Sequence, residues 1–283
     1  MTVTARDGTP AARPPGDSLQ PQTLGPWLST TWMGRRHVHV ATCTSTNDLA
    51  AAEARAGAPA GTLVTADEQT AGRGRLGRTW HAAPGDNLTF SIVLRPGRPA
   101  PEIPTLTLLA GGALAQALGD LRFPARLKWP NDVLLRVQEG GAERSRKVAG
   151  ILTEAATVGS DVSHVVVGIG LNVNVAQFPA EIAARATSLR LVRGAPLLRA
   201  EVLARVLARL EAAVDDFQQR GPAAATALWD AHADRALRCR ARVGDQDIEG
   251  VADGVSADGS LRLRDDDGEI HPVMSGEIIA VIE

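Results

Sequence analysis

The chain has very little lysine. Of its 30 basic residues only Lys128 and Lys147 are lysine, and the other 28 are arginine. Codon composition explains why arginine, alanine and glycine are abundant and lysine rare. It does not explain why both lysines fall in the two most distinctive stretches of the chain. Arginine is a fixed planar fork, whereas lysine is a compact, rotatable point charge, so these two positions call for an ammonium. Cysteine is equally scarce. Cys43 and Cys239 stand alone without paired spacing, which excludes a disulfide framework and a zinc ribbon. No charge sign dominates: the formal net charge is -2, leaving no global basic field for nucleic acid or acidic lipid. Long apolar runs are missing too. The longest, Leu106 to Leu118, is interrupted by Gly111, Gly112 and Gln116 and is too short to span a bilayer. The N-terminus lacks the charged-then-apolar order of a secretory signal, so a cytosolic location is expected. No internal repeat is evident.

What is present suits a soluble globular protein of one large domain and one small one. The 283 residues are 44% apolar and 22% charged, ordinary values for such a chain. Residues 1–26 carry Pro10, Pro14, Pro15, Pro21 and Pro26 among small polar residues, and a disordered tail is expected over 1–33. Alternation from Arg36 to Val40 predicts a strand, and Asn47 to Ala56 a helix that Gly57 can end. Strands follow at Gly61 to Ala66 and Leu88 to Leu94, separated by a glycine–arginine loop over Glu68 to Trp80. Leu106 to Leu118 has helical spacing and reads as a core helix. Three strands are expected next, at Leu127 to Val137, Val148 to Thr157 and His164 to Val175, the first two joined by a loop from Gln138 to Arg146. Leu197 to Phe217 and Ala223 to Asp234 read as helices. Beyond Leu237 short strands alternate with turns at Gly244, Asp258-Gly259 and Asp267-Gly268, the spacing of a small β-barrel. The fold class expected is α+β: a mixed-sheet catalytic domain over 34–235 and an SH3-like barrel over 237–283.

Gly72-Arg73-Gly74-Arg75-Leu76-Gly77 matches the dinucleotide fingerprint letter for letter. That fingerprint works only where the loop opens a helix facing a pyrophosphate. Here Pro84-Gly85-Asp86-Asn87 leads into a strand instead, and neither a Walker lysine nor kinase partner motifs exist. What remains is a loop whose glycines admit close approach and whose Arg73, Arg75 and Arg78 offer donors to phosphate or carboxylate. Taken alone, it is equally well a solvated basic surface loop. Thr44-Ser45-Thr46-Asn47-Asp48 opens the first helix, and Ser45 with Asp48 fits a capping box. Lys128-Trp129-Pro130-Asn131-Asp132 sets a cation, an aromatic plate, an amide and a carboxylate around a proline that implies a bend or an edge; the set can hold a nucleotide, or it is a tight turn whose polar side chains are satisfied. Lys147 precedes Gly150-Ile151-Leu152-Thr153-Glu154. Gly168-Ile169-Gly170-Leu171-Asn172 puts two glycines on one strand face, where either a flat ligand or a helix can pack. His37-Val38-His39 puts two imidazoles on one face, and without a third ligand it reads as strand surface rather than metal site.

In this order the five segments resemble the biotin protein ligases, whose pattern is a serine–threonine–asparagine helix start, a G-R-G-R-x-G-R loop, K-W-P-N-D, a lysine before G-I-L-x-E, and G-x-G-x-N-x-N. The likeness runs from about residue 36 to 283 and includes Gly250, Gly254, Gly259 and Ser275-Gly276-Glu277 near the C-terminus. It departs mildly at Leu171, where isoleucine is commoner, and at Cys43, where an acid is frequent. The resemblance implies that Ser45, Thr46, Asn47 and Gln69, with the backbone of Arg73 and Gly74, bind biotin's ureido ring. It implies that Arg75 and Lys147 hold the biotin carboxylate and the α-phosphate. Arg78 would meet the polyphosphate, and Lys128, Trp129, Asn131 and Asn172 would frame the adenylate. Lys147, Arg75 and Lys128 are thereby the expected catalytic residues. ATP and biotin are the implied substrates and magnesium accompanies ATP, with no metal ligand identified. The implied partner is a biotin carboxyl carrier protein, with homodimerisation left open and no DNA or membrane partner. A lipoate ligase shares the fold but carries an arginine pair followed by serine and glycines, which is missing here. A ligase that doubles as a DNA-binding repressor needs an N-terminal winged helix-turn-helix, for which the 35 residues before the first catalytic strand are too few.

Overall fold

The structure, a computed structural model, describes residues 14–235, 237–243, 245–274 and 278–281. After a single turn, α1 (Pro21–Leu24), the chain runs through β1 (His37–Cys43), α2 (Thr46–Arg55), β2 (Leu63–Gln69) and β3 (Leu88–Leu94). The long helix α3 (Thr105–Asp120) follows, then four strands: β4 (Ala125–Lys128), β5 (Asp132–Glu139), β6 (Ala142–Val158) and β7 (Asp161–Leu171). Two short turns, α4 (Ala180–Ala183) and α5 (Leu189–Arg193), lead to α6 (Arg199–Arg220) and α7 (Pro222–Asp230). The remaining strands are β8 (Arg238–Val243), β9 (Gln246–Val255), β10 (Leu261–Arg264), β11 (Ile270–Val273) and β12 (Ile278–Val281).

Strands β1 to β7 form one mixed sheet in the order β1-β2-β3-β7-β6-β5-β4, with β1 and β2 parallel and every other pair antiparallel. Side chains alternate between its faces. Phe90, Ile151 and Ile169 face α3, whose Leu106, Leu109, Ala110, Ala113 and Leu114 are buried, as befits a helix apolar on nearly every side. Gly111 lies against Leu127 and Ile151 with ordinary room for a Cβ, whereas a Cβ on Gly112 would press on Leu228 of α7, so this glycine lets α7 close on α3. The opposite sheet face is covered only in part. Ala50 and Ala54 of α2 pack there on Val64, Val93 and Val166. Further along the same face no such helix follows among the described residues, and the candidate site lies there.

Several sequence expectations change. The single strand expected over Leu127 to Val137 is two, because Trp129, Pro130 and Asn131 form the turn of a hairpin in which Lys128 pairs with Asp132. Proline has no amide to give to a ladder and sits outside one. The loop expected over Gln138 to Arg146 shrinks to Gly140-Gly141, with Glu139 paired to Ala142. Both glycines have positive φ, 59° and 83°, the geometry of a tight two-residue hairpin. The part of the expected tail that is described, 14–33, is packed rather than disordered. Leu19, Leu24 and Met33 are buried in the core. Glu211 of α6 accepts the amides of Thr31, Trp32 and Met33 at 2.7–2.8 Å, and Asp17 pairs with Arg199 at 2.9 Å. Proline content marks a chain without regular structure, and here side chains of α6 satisfy the backbone instead. Residues 1–13 and Ser275-Gly276-Glu277 lie outside the described residues.

The C-terminal strands form an antiparallel sheet in the order β11-β10-β9-β8-β12. Its hydrogen-bonded ladder is not closed, so the expected barrel is an open five-stranded sheet among the described residues. No described helix is long and apolar enough to cross a membrane.

Candidate active site

Register decides which side chains share the uncovered face. Gly150 lies opposite both Gly170 and Asp132, Leu152 opposite Gly168, and Gly168 opposite Ser91. Lys147, by simple alternation from Gly150, would point into the core. A register shift between β5 and β6, at Val133/Leu134 opposite Lys147 to Ala149, prevents this. Such a bulge re-aims a side chain, and Lys147 Nζ comes within 3.2 Å of where a Gly150 Cβ would sit.

At one end of this face lies a set of neutral polar groups. Ser45 caps α2 by accepting the Asn47 amide at 3.3 Å. Asp48 does not complete the expected capping box, because its carboxylate accepts from Arg73. Gln69 Oε1 accepts from the Thr46 amide at 2.7 Å and from its hydroxyl at 3.0 Å. Ser91 bridges the Thr46 hydroxyl and Asn47 Oδ1 at 2.8 and 2.6 Å. Ser45, Thr46, Asn47 and Ser91 are all buried. Gly168 is what lets Asn47 lie on the sheet, since a Cβ there would overlap its Oδ1.

At the other end lie the cations. Lys147 Nζ is 2.5 Å from Asp132 Oδ1, and Asp132 faces Lys128 across the hairpin. Burial pushes the Lys128 ammonium below its usual pKa, with the Asp132 charge opposing that shift. Burial likewise lowers Arg75, again opposed by Asp132, while Arg78 adds to the lowering. Both lysines therefore belong to one cluster: Lys147 pairs with the Asp132 carboxylate, and its charge is felt by Lys128 and Arg75. Between the two ends lies Trp80. Its indole packs on Gly170, where any Cβ would collide with it, and more loosely beside Gly150, and Lys147 Nζ stands 5.7 Å from the ring centre.

Other expected site residues are placed differently. The Arg73 side chain turns away from the cations to Asp48 and Glu154. The Gly74 amide donates to Arg78 O at 2.7 Å, closing the loop on itself. Trp129 is 6% exposed and donates through Nε1 to Gly259 O at 3.1 Å, so it ties the Lys128 turn to the C-terminal sheet rather than offering an open plate. Asn131 donates to Ile151 O at 3.0 Å and pins that turn to β6. Asn172 Nδ2 donates to Thr187 O at 3.1 Å, while its buried Oδ1 has no partner. Trp80 and Ser91 lie on this face although sequence reasoning did not single them out, while Asp132 and Glu154 were read there only as members of their motifs. The signal for Trp80 was present: Gly150 and Gly170 leave a gap that needs a flat side chain or ligand.

Metal chemistry finds little support elsewhere. His37 Nε2 and His39 Nδ1 both bond the Thr65 hydroxyl, at 2.8 and 2.9 Å, and burial lowers the pKa of His37 to about 4. Among the described residues Asp265, Glu269 and His271 form the one cluster with ligand spacing. Asp265 is already occupied there by His271 and by the amides of Asp267 and Glu269.

A face divided between a neutral hydrogen-bonding pocket and a cation cluster has the chemistry to receive a neutral head group and an anion side by side. Comparison with known proteins gives the family. Residues 40–172 match the Biotin/lipoate A/B protein ligase family and residues 238–280 the Biotin protein ligase C terminal domain. The chain is 36% identical over 284 residues to the biotin–[acetyl-CoA-carboxylase] ligase of Mycobacterium tuberculosis, covering 94% of this chain and 96% of that one. It is 36% identical over 255 residues to the bifunctional ligase/repressor of Bacillus subtilis, covering 89% and 76% respectively. In structure it resembles the biotin protein ligase of Aquifex aeolicus in complex with biotin and ATP, with a TM-score of 0.70 and 30% identity over 86% of this chain and 97% of that one. The chain belongs to the biotin protein ligase family.

Proposed function

We propose that this protein activates biotin with ATP and transfers it to a lysine of a biotin carboxyl carrier protein. The observation that carries this reading is the division of one sheet face between the neutral pocket and the Lys128–Lys147–Arg75 cluster. A ureido ring is uncharged but rich in donors and acceptors, and suits Ser45, Thr46, Asn47, Gln69 and Ser91. The carboxylate at the far end of biotin and the α-phosphate of ATP are both anions and suit the cations.

In the first step a biotin carboxylate oxygen attacks the α-phosphorus, the bond to the β-phosphate oxygen breaks, and pyrophosphate leaves. In the second an acceptor lysine amine attacks the acyl carbon. The acyl–oxygen bond breaks, AMP leaves with the electron pair, and the amine gives up a proton. No side chain needs to form a covalent intermediate, so catalysis is orientation and charge stabilisation. Asp132 holds Lys147 at 2.5 Å and keeps a flexible ammonium aimed at the reacting oxygens. Trp80, rather than the buried Trp129, is the plate beside which the adenylate lies. The unpartnered Asn172 Oδ1 is an acceptor suited to an exocyclic amine such as adenine's, since a buried acceptor left unpaired costs about 1–3 kcal/mol. Magnesium prefers oxygen donors and usually binds through phosphates, water and one or two carboxylates. It would enter with ATP and shield its charge, and Asp132 is the carboxylate this cluster has to give.

Incubation with ATP, magnesium and labelled biotin tests the reading. Biotinyl-adenylate should form with release of pyrophosphate. Activation of labelled lipoate in its place would make the chain a lipoate ligase.

A further inference from the structure

Arg73 and Arg75 leave the same loop in different directions. Arg75 meets the cation cluster, whereas Arg73 donates to Asp48 Oδ1 on α2 at 2.6 Å and to both carboxylate oxygens of Glu154 on β6 at 3.0 and 3.1 Å. Glu154 has a second occupation. Its Oε2 accepts from Asn47 Nδ2 at 2.6 Å, and Asn47 is joined through Ser91 to Thr46 and then to Gln69. One carboxylate therefore grips both the loop and the floor of the neutral pocket. Glu154 lies four residues along β6 from Gly150, roughly 13 Å at the rise of a strand, so it is well separated from the Asp132 end. Its charge is answered by Arg73 and does not weaken the field that Lys128 and Lys147 present to an anion.

We propose that Glu154, assisted by Asp48, is a positioning residue that holds the arginine–glycine loop closed over the pocket through Arg73. It thereby sets how long the activated intermediate is retained. This rests on the ligase reading and assigns within it a division of labour: Arg73 latches the loop, while Arg75 and Arg78 serve the ligand. The latch is half exposed, with side-chain exposures of 41% for Arg73, 50% for Asp48 and 44% for Glu154, so it is suited to opening and reclosing. Exposed ion pairs are individually weak, but here three charged groups and a pocket amide are joined, and charge-assisted bonds of this kind are the stronger ones.

The test uses Glu154→Gln with Asp48→Asn, which keeps the shapes and leaves an amide oxygen at position 154 to accept from Asn47. Hydrogen exchange at the amides of residues 72–78 is read first in the protein without added ligand, and should speed up in the double variant. The enzyme is then loaded with labelled biotin and magnesium–ATP without acceptor, freed of unbound label, and followed for loss of biotinyl-adenylate. Release should quicken about fivefold, the scale of a well-formed exposed pair. The KM for biotin should rise by more than kcat for pyrophosphate release falls. Arg73→Ala should have the same effect and add nothing to the double variant. Unchanged loop exchange, or unchanged release from a wild type that does form adenylate, overturns the latch alone. Faster exchange in a protein whose wild type forms no adenylate overturns retention together with the ligase reading.

Discussion

At the scale of single residues, Lys147 carries the most consequence. It reaches the site face through a bulge, sits 2.5 Å from Asp132 and stands over Trp80. Replacement by arginine keeps the charge but brings a larger planar fork. Lys147→Arg is expected to lose much of its pyrophosphate release, and Lys147→Ala to fall by ~10²–10³, the range for loss of one electrostatic stabiliser. Near-normal release from the arginine variant would end this assignment. Lys128 makes a different prediction. Its buried ammonium titrates below the ordinary lysine value of 10.5, so it is charged below that depressed pKa and loses its proton as pH rises through it. The rate of adenylate formation should therefore decline with a limb under 10.5. In Lys128→Arg, slower overall, that limb should disappear, and a pH profile of single-turnover rates decides. Gly168 has no chemistry, yet Gly168→Ala should cost about 1–3 kcal/mol, as overpacking does, and weaken biotin binding, because Asn47 must move off the sheet. Calorimetry with biotin would register both effects.

At the scale of elements, the period of two along β3, β6 and β7 sorts the molecule into a core face and a site face. The glycines of the site face make room where the chain's own indole and amide groups lie. The segment before β1 is held in a comparable way from α6. Arg199 is 1% exposed and bonds Asp17, Asp67 and the Asn87 carbonyl. Removing one member of a buried pair strands the other charge and costs about 3–5 kcal/mol. Arg199→Met should lower the urea midpoint accordingly, with the same slope. A midpoint within error of wild type would mean that the Arg199 pairings contribute nothing to stability.

For the whole molecule, the scarcity of lysine becomes a chemical property. An acyl-adenylate that escapes is open to any unprotonated amine, and an exposed lysine of the enzyme would be the nearest. This chain has only two lysines, both half-buried in the cation cluster. Self-biotinylation without acceptor should be negligible on overnight incubation. It should rise when a lysine is introduced at exposed Arg185, whose carbonyl accepts the Lys147 amide at 2.8 Å. Mass spectrometry that found Lys128 or Lys147 heavily labelled in the unaltered enzyme would show that they are not held as charged contacts.

Local order along the chain was enough to establish the helix start at Ser45, the alternation of Leu88 to Leu94, the core helix around Leu109 and the cationic character of the loop and of Lys128 and Lys147. Each depends on neighbours within a few residues, where propensity and periodicity act. The partners depended on the fold. Which face Lys147 takes is set by a bulge between β5 and β6, and a one-residue offset sends a side chain to the other side of a sheet. That Trp80 lies on Gly150 and Gly170, that Trp129 belongs to the C-terminal sheet, and that Glu154 joins Arg73 to Asn47 are contacts between residues tens to more than a hundred positions apart. No local pattern encodes such pairings, because register and layer packing form only when the whole sheet assembles.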